Sequence, residues 1–164
     1  MSDGRRACPC GLAAAYEACC GRFHGKATRE PATPEELMRS RFSAFATANS
    51  DWLYRSLHQE HPDRERSRSA FRRDLERHFA TGVRYTRLEV VDAPRCSSLE
   101  PGSVLFIAHG TVKGADFLLA ELSTFLHDGR GWRYREGQTI PEAAIGRPEK
   151  RATIGELRAR GIVV

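Results

Sequence analysis

Four of the five cysteines fall within thirteen residues, at Cys8, Cys10, Cys19 and Cys20. Zinc binds thiolate and imidazole groups tetrahedrally, so four such donors on a short segment are typical of a structural zinc site. A tight turn helped by Gly11 would supply the first pair of cysteines, and the end of a short helix over residues 13–18 would supply the second. Four protein ligands leave no position for a reactive water molecule, so we expect one structural zinc ion rather than a catalytic one.

Two alternatives to this ligand set exist. His24 is a reserve ligand that would replace Cys20. The cysteines would instead form disulfides in an oxidising compartment. Adjacent cysteines such as Cys19 and Cys20 bridge each other only with strain, and the N-terminus lacks the pattern of a secretory signal peptide. The spacing therefore favours the four-cysteine zinc site.

The order Cys-Pro-Cys-Gly, seven residues, Cys-Cys and Gly, within residues 8–24, resembles the SEC-C motif, a zinc-binding segment found in many bacterial proteins. The resemblance implies the four cysteine ligands. The motif usually carries lysines between its cysteine pairs, whereas residues 12–15 here are apolar. The resemblance therefore supports the four metal ligands more strongly than it supports binding to a ribosome or a chaperone.

The composition describes an ordinary protein of 164 residues with a net charge of +5. No apolar run approaches the roughly twenty residues of a membrane span, and we expect a cytoplasmic location. Acidic residues are interleaved with the arginines, so the positive charge is weak evidence for nucleic-acid binding. Cys96 stands apart from the other cysteines and is expected to be a free thiol.

Three helices are predicted in the first half of the chain. Thr33-Pro34-Glu35-Glu36 has the residue order of a helix cap followed by a capping box, and this first helix would end at Asn49. A short helix from Asp51 to about His58 follows, and a third begins after Ser67 and runs through Phe79. Apolar residues recur at spacings of three and four, so each helix should bury one face.

From Val83 onward the pattern becomes that of β-strands. Strands are predicted at 83–91, 104–112, 117–127 and 132–136, and a hairpin turn lies at 128–131. Three helices followed by an antiparallel meander predict an α+β fold, with the helices on one face of a curved sheet. We assign residues 1–25 to the knuckle, 26–32 to a linker, 33–138 to the α+β domain and 139–164 to a basic tail that docks or stays loose.

A second resemblance rests on the helix motif at residues 37–45, Glu-x-Ser-x-Phe-Leu at 121–126 and Gly-Trp-x-Tyr at 131–134. Together with the knuckle, these motifs resemble the YchJ family of uncharacterised bacterial proteins. The resemblance implies a domain similar to nuclear transport factor two, in which a cone of bent strands is wrapped by three helices. Members often carry a second SEC-C motif, which this cysteine-free tail lacks.

Such a cone encloses a pocket between its first helix and its sheet, the default place for a ligand. The expected pocket contains Glu121 as base or anchor and His58 or His109 as acid. An Arg39–Glu121 ion pair without any functional role is the competing interpretation. The full set of candidate pocket residues is Arg39, Arg41, Phe42, His58, His109, Glu121, Ser123 and Trp132.

Three functions are compatible with this sequence. The leading hypothesis is an adaptor with structural zinc, in which the knuckle contacts a protein partner. The second is a small-molecule-binding or enzymatic domain with a pocket around Arg39 and Glu121. The third is ribosome or RNA binding through terminal arginines. No known catalytic motif occurs in the sequence, so enzymatic activity is uncertain and the sequence leans against it.

Overall fold

A computed structural model of the chain describes residues 5–26 and 29–164. The helices of this part are α1 (Gly21–His24), α2 (Pro34–Ala46), α3 (Ser50–Arg55), α4 (Arg68–Ala80), α5 (Glu142–Ile145) and α6 (Ile154–Ala159), with 3-10 helices at Tyr16–Ala18 and Pro62–Glu65. The strands are β1 (Val83–Asp92), β2 (Gly102–Val112), β3 (Ala115–His127), β4 (Trp132–Ile140), β5 (Gly146–Arg147) and β6 (Lys150–Arg151). Residues 1–4 of the predicted knuckle and residues 27–28 of the predicted linker lie outside the described residues.

The first four strands form an antiparallel sheet in the order β1-β2-β3-β4. In the register, Phe106 on β2 lies opposite Glu121 on β3, and Phe125 on β3 lies opposite Tyr134 on β4. Register shifts in the β1–β2 and β3–β4 pairs bend the sheet, as β-bulges do. Helices α2 and α4 lie against one face, and the knuckle packs on α2, which confirms the predicted α+β fold.

The helix caps follow the predicted residues with one change of partner. The Thr33 hydroxyl accepts a hydrogen bond from the Glu36 N–H at 3.1 Å, but the Glu36 carboxylate accepts from Ala32 N–H rather than from Thr33. Helix α2 ends at Ala46, before Asn49, because the Asn49 side chain caps α3 by accepting from the Trp52 N–H. Asparagine is a strong N-cap residue, so here it begins a helix.

Helix α3 is shorter than predicted because the residues after it pair with the sheet. Ser56 O accepts from Tyr134 N–H and Tyr134 O accepts from His58 N–H, each at 2.8 Å. This bridge satisfies backbone groups that another helical turn would otherwise have used. It also fixes Tyr134 against the segment that leads into the loop at 59–66.

The C-terminal residues dock on the opposite face of the sheet. Leu105, Ile107 and Leu122 point to that face, and Ile154 and Leu157 of α6 cover them. Arg151 adds an ion pair of 2.9 Å with Glu89 of β1. The structure therefore has helices on one face of the sheet and the C-terminal segment on the other. No helix in the described ranges has the length and apolar character needed to cross a membrane.

Candidate functional site

The knuckle, defined here as residues 8–24, is held by a small hairpin. Cys8 N–H donates to Ala14 O at 3.1 Å, and Gly11 N–H donates to Cys8 O at 3.2 Å in the turn between the first two cysteines. Gly11 has φ 86°, a conformation that glycine adopts without strain. Ala15 pairs with Ala7 in a single antiparallel bridge, so the helix predicted over 13–18 is reduced to the 3-10 turn Tyr16–Ala18.

The hairpin and the following turn bring the four cysteine sulfur atoms together. All four residues are buried, their Sγ atoms lie within 4.8 Å of one another, and Cys10 Sγ is 3.6 Å from Cys19 Sγ. Zn–S bonds of 2.3 Å in a tetrahedron separate the sulfur atoms by about 3.8 Å. A disulfide would hold two sulfurs about 2.05 Å apart, and all the cysteines are free. The cluster therefore has the donor set and spacing of a tetrahedral metal site.

The thiols cannot all ionise without a cation. Hydrogen bonding, chiefly from the Cys20 thiol, lowers the pKa of Cys10 to about 5, so one thiolate forms readily. Burial raises the pKa of Cys19 to about 12, and hydrogen bonding to Cys10 raises the pKa of Cys20. A bound divalent ion would supply the positive charge that the remaining thiolates need.

His24, the reserve ligand, is outside the sulfur cluster because both of its ring nitrogens are engaged. Its Nε2 lies 2.7 Å from Ser40 O and its Nδ1 lies 2.7 Å from the Tyr16 hydroxyl. A carbonyl accepts only, so Nε2 carries the proton and Nδ1 accepts from Tyr16. His24 thus connects the knuckle to α2 instead of binding the metal.

Further contacts fix the knuckle to the same side of α2. Arg39 donates to Cys10 O at 3.1 Å, Arg22 pairs with Glu36 at 3.0 Å, and Cys8 Sγ lies 3.6 Å from the Ser43 hydroxyl. Metal binding would therefore order this face of α2 as well as the knuckle itself.

The opposite face of α2 forms one wall of a cavity of about 310 Å³. This volume lies at the lower end of the roughly 300–1,000 Å³ typical of ligand pockets. Apolar side chains from α2, α4 and the sheet form most of the wall, namely Phe42, Phe45, Phe71, Leu75, Phe106 and Leu119. The cavity is the predicted pocket between first helix and sheet.

Polar groups converge on the sheet side of this cavity. The Glu121 carboxylate accepts hydrogen bonds from the Ser123 hydroxyl at 2.7 Å and from the Tyr134 hydroxyl at 3.2 Å. Burial raises the pKa of Tyr134, which keeps its hydroxyl a donor. Within the described residues no Lys, Arg or His nitrogen forms a salt bridge with Glu121.

Arg41 supplies a buried cation to the same cavity. It is 6 % exposed, and burial lowers its pKa to about 10, so it stays protonated at neutral pH. Its Nη1 donates to Leu53 O at 2.9 Å and to the Ser56 hydroxyl at 2.6 Å, and its guanidinium lies 4.5 Å from the centre of the Tyr134 ring. In the described part of the chain, Nε and Nη2 have no hydrogen-bond acceptor.

His61, from the loop at 59–66, also lines the cavity. Its Nδ1 accepts from Asp63 N–H at 3.1 Å, so the proton sits on Nε2, and its ring centre is 5.5 Å from that of Tyr134. Burial lowers the pKa of His61 and favours the neutral ring. The sequence analysis missed His61 and did not include Tyr134 among the pocket residues, although the proline after His61 marks a turn.

Of the predicted pocket residues, Arg41, Phe42, Glu121 and Ser123 meet at the cavity. Arg39 does not, because it lies on the knuckle side of α2 and pairs with Glu35 at 2.9 Å. The expected Arg39–Glu121 pair is therefore absent from the described residues. Two positions along a helix differ by about 200°, which puts Arg39 and Arg41 on different faces.

The remaining three candidates lie elsewhere. His109 is on the outer face of the sheet, 2.8 Å from Arg87, because Phe106 and Ala108 take the cavity side of β2. His58 is buried outside the cavity, with its Nδ1 accepting from Glu60 N–H at 3.3 Å. Trp132 borders a second groove of about 480 Å³. That groove is larger than the cavity, but its charged side chains are less buried than Arg41. Glu35 is half-buried and Arg95 is exposed.

Gly137 of β4 lies so close to Glu121 that a larger residue there should displace the carboxylate. A Cβ atom at this position would be 2.1 Å from Glu121 Oε1 and 2.6 Å from the Tyr134 hydroxyl oxygen. We expect Gly137→Ala to lower the free energy of unfolding by about 1–3 kcal/mol, the cost of losing a hydrogen bond to a charged group. Urea unfolding measures this value.

Gly155→Ala is the matched control for this substitution. Gly155 lies within α6, where a Cβ atom would meet nothing closer than 3.9 Å. We expect this variant to be unchanged or slightly more stable, since alanine favours helices over glycine. Equal stability of the two variants would contradict the position given to the Glu121 carboxylate.

The fold and the site together define a class of protein. A bent sheet wrapped by helices around a cavity, preceded by a docked four-cysteine knuckle, is a nuclear transport factor two-like domain with a SEC-C-type motif. The family model described as "YchJ, middle NTF2-like domain" matches residues 33–137. The chain belongs to this YchJ-like family, as its motifs predicted.

Curated relatives extend this match over most of the chain. A UPF0225 protein of Streptomyces coelicolor is 39 % identical over 134 residues, which cover 81 % of this chain and 95 % of the relative. A UPF0225 protein of Cupriavidus pinatubonensis is 34 % identical over 143 residues, covering 84 % and 91 %.

Solved structures also resemble the chain. The solution structure of a SEC-C motif containing protein from Rhodopseudomonas palustris has a TM-score of 0.68 and 29 % identity, and the match covers 83 % of this chain and 100 % of that one. A crystal structure of a SEC-C motif containing protein from Psychrobacter arcticus has a TM-score of 0.63 at 20 % identity, with 87 % and 88 % covered, and supports the fold alone.

Proposed function

We propose that this protein binds a small molecule in the cavity between α2 and the sheet. The observation that carries the proposal is the cavity itself, in which apolar walls surround a carboxylate and a buried guanidinium with free donors. A few polar groups in a mainly apolar cavity are typical of ligand sites. A buried charge without a charged partner is costly, so the retention of Arg41 in the cavity wall favours a ligand that pairs with it.

We further propose that the metal held by Cys8, Cys10, Cys19 and Cys20 is zinc and that its role is structural. All four ligands are protein thiolates, the set that zinc favours in closed sites. The knuckle contacts α2 through Arg39 and His24, so the ion would stabilise the helix that forms the cavity wall.

The adaptor hypothesis stays a prediction and ranks second here. The feature that favours it is Leu12, which is 47 % exposed on the knuckle. A single exposed leucine is common on protein surfaces, so it supports a protein partner only weakly. Ribosome or RNA binding also stays a prediction.

Small aromatic probes test the cavity proposal directly. We expect benzyl alcohol to shift the backbone amide NMR signals of cavity residues such as Phe42, Leu119 and Ser123. Ala108→Leu places extra volume in the cavity and should abolish these shifts, because Ala108 lines its wall. Ser103→Leu makes a similar addition in the larger outer groove and should leave them unchanged.

Two results would contradict the proposal. One is that neither benzyl alcohol nor its acidic and basic analogues, benzoate and benzylamine, shift the cavity amides. The other is that Ser103→Leu, rather than Ala108→Leu, abolishes binding, which would move the site to the outer groove.

A further inference from the structure

Arg41 and Glu121 are opposite charges in one cavity that are not paired with each other. Each has only neutral hydrogen-bond and ring contacts in the described residues: Leu53 O, the Ser56 hydroxyl and the Tyr134 ring for Arg41, and two hydroxyls for Glu121. A buried ion is stable when it is paired or fully hydrogen-bonded. Both charges in the cavity are therefore available to a ligand.

Tyr134 keeps the two charges apart. The guanidinium of Arg41 lies against its ring, and the carboxylate of Glu121 accepts from its hydroxyl at the far end of the same side chain. Backbone hydrogen bonds to Ser56 and His58 hold Tyr134 in place. The separation is thus built into the sheet and does not depend on a mobile side chain.

The end of the cavity near Arg41 offers hydrogen-bond donors. The free Nε and Nη2 groups of Arg41 present the parallel N–H pair that binds a carboxylate through both oxygens. The Nε2–H of His61 is a further donor beside the Tyr134 ring. The Glu121 end offers acceptor oxygens, which suit an ammonium group.

Resting on the proposed function, we propose that the ligand is a small zwitterion of the amino-acid type with an apolar side chain. Its carboxylate binds Arg41, its ammonium group binds Glu121, and its apolar part contacts Phe42, Phe71 and Phe106. Such a ligand would pair with the buried Arg41 guanidinium and the half-buried Glu121 carboxylate, and its side chain would fill the apolar volume.

Three probes that differ only in their charged groups test this inference. Phenylalanine carries both groups, 3-phenylpropanoate only the acid, and phenethylamine only the amine. We expect phenylalanine to bind at least about tenfold more tightly than either analogue, as measured by NMR titration of the cavity amides.

The Glu121→Gln variant identifies the group that binds the ammonium. Glutamine keeps an oxygen that accepts from Ser123 and Tyr134 but lacks the charge, so the fold should be retained. In this variant the affinity for phenylalanine should fall about tenfold, to the affinity of 3-phenylpropanoate. The affinity for 3-phenylpropanoate should stay the same, because this probe has no ammonium group. Glu136→Gln, an exposed change on the same sheet, is the control and should alter neither affinity.

Each other outcome has a defined meaning. If phenylalanine binds no better than 3-phenylpropanoate or phenethylamine, or if Glu121→Gln leaves its affinity unchanged, the zwitterion inference is overturned, while benzyl alcohol binding would leave the proposed function standing. If no probe, benzyl alcohol included, shifts the cavity amides, both the inference and the proposed function are wrong.

Discussion

Removal of the metal ion is expected to unfold the knuckle and to lower the melting temperature of the whole chain by far more than a surface mutation does. Structural zinc contributes roughly 10–16 kcal/mol of apparent binding free energy in zinc-finger peptides, and most of this is coupled to folding. Without the ion, burial and the hydrogen bonds to Cys10 keep the other thiols protonated, and the hairpin has few other buried side chains. The contacts of Arg39, His24 and Ser43 across the knuckle interface would be lost with it.

Cys10→Ser provides the genetic version of this experiment. Cys10 is 0 % exposed and at the centre of the thiol hydrogen bonds, so a serine there should abolish stoichiometric metal binding. Cys96→Ser is the matched control, because Cys96 lies outside the sulfur cluster. Metal content by mass spectrometry and the melting temperature by calorimetry are the two measurements.

The metal-free protein also tests the link between the knuckle and the cavity. Met38, Arg41 and Phe42 line the cavity on one side of α2, while Arg39 and Ser43 contact the knuckle on the other. Chelation should therefore broaden the amide signals of the cavity wall as well as those of the knuckle. An unchanged melting temperature on chelation, with complete metal loss, would contradict a structural role for the ion.

Leu157→Asp is expected to release the C-terminal segment from the sheet. Leu157 is 0 % exposed and packs with Leu105, Ile107 and Leu122 on the outer face. Even Leu→Ala at a buried site costs about 2–5 kcal/mol, and a buried unpaired carboxylate adds a further penalty. The exposed apolar face should also cause self-association, which size-exclusion chromatography detects.

Arg158→Ala is the control for this prediction. Arg158 is its exposed neighbour on α6, and surface substitutions of this kind usually change stability within about 0.5 kcal/mol. Hydrogen exchange separates local from global effects: in Leu157→Asp the amides of residues 142–164 should lose protection first. Retained protection and an unchanged melting temperature would show that the segment does not depend on Leu157 for docking.

Local sequence patterns predicted most of the secondary structure because the deciding interactions are short-range. Thr33 and Ser67 accept from N–H groups three residues ahead, and successive residues of the strand at 117–127 contact opposite faces of the sheet as a period of two requires. Asn49 shows the limit of this reasoning. The same residue type ends one helix or begins the next, and the bond to Trp52 decides between them.

The sequence of β2 indicates that a further segment covers the sheet. Residues 104–108 of β2 are apolar without alternation, and a strand of this kind is covered on both faces. The helices account for one face only. Apolar residues of the C-terminal segment, among them Ile145, Ile154 and Leu157, are available to cover the other.

The sequence by itself determined the sulfur cluster and the fold class. The four cysteines lie within thirteen residues, so short loops suffice to bring them together, and motifs in order along the chain define the family. Only the tertiary structure decided which polar residues share the cavity. Arg41 rather than Arg39, and His61 rather than His58 or His109, lie there because helix rotation, strand register and the path of the 59–66 loop fix the directions of side chains. These directions depend on contacts between residues far apart in the chain, such as those that hold Tyr134 to Ser56 and Glu121, and no local spacing specifies them.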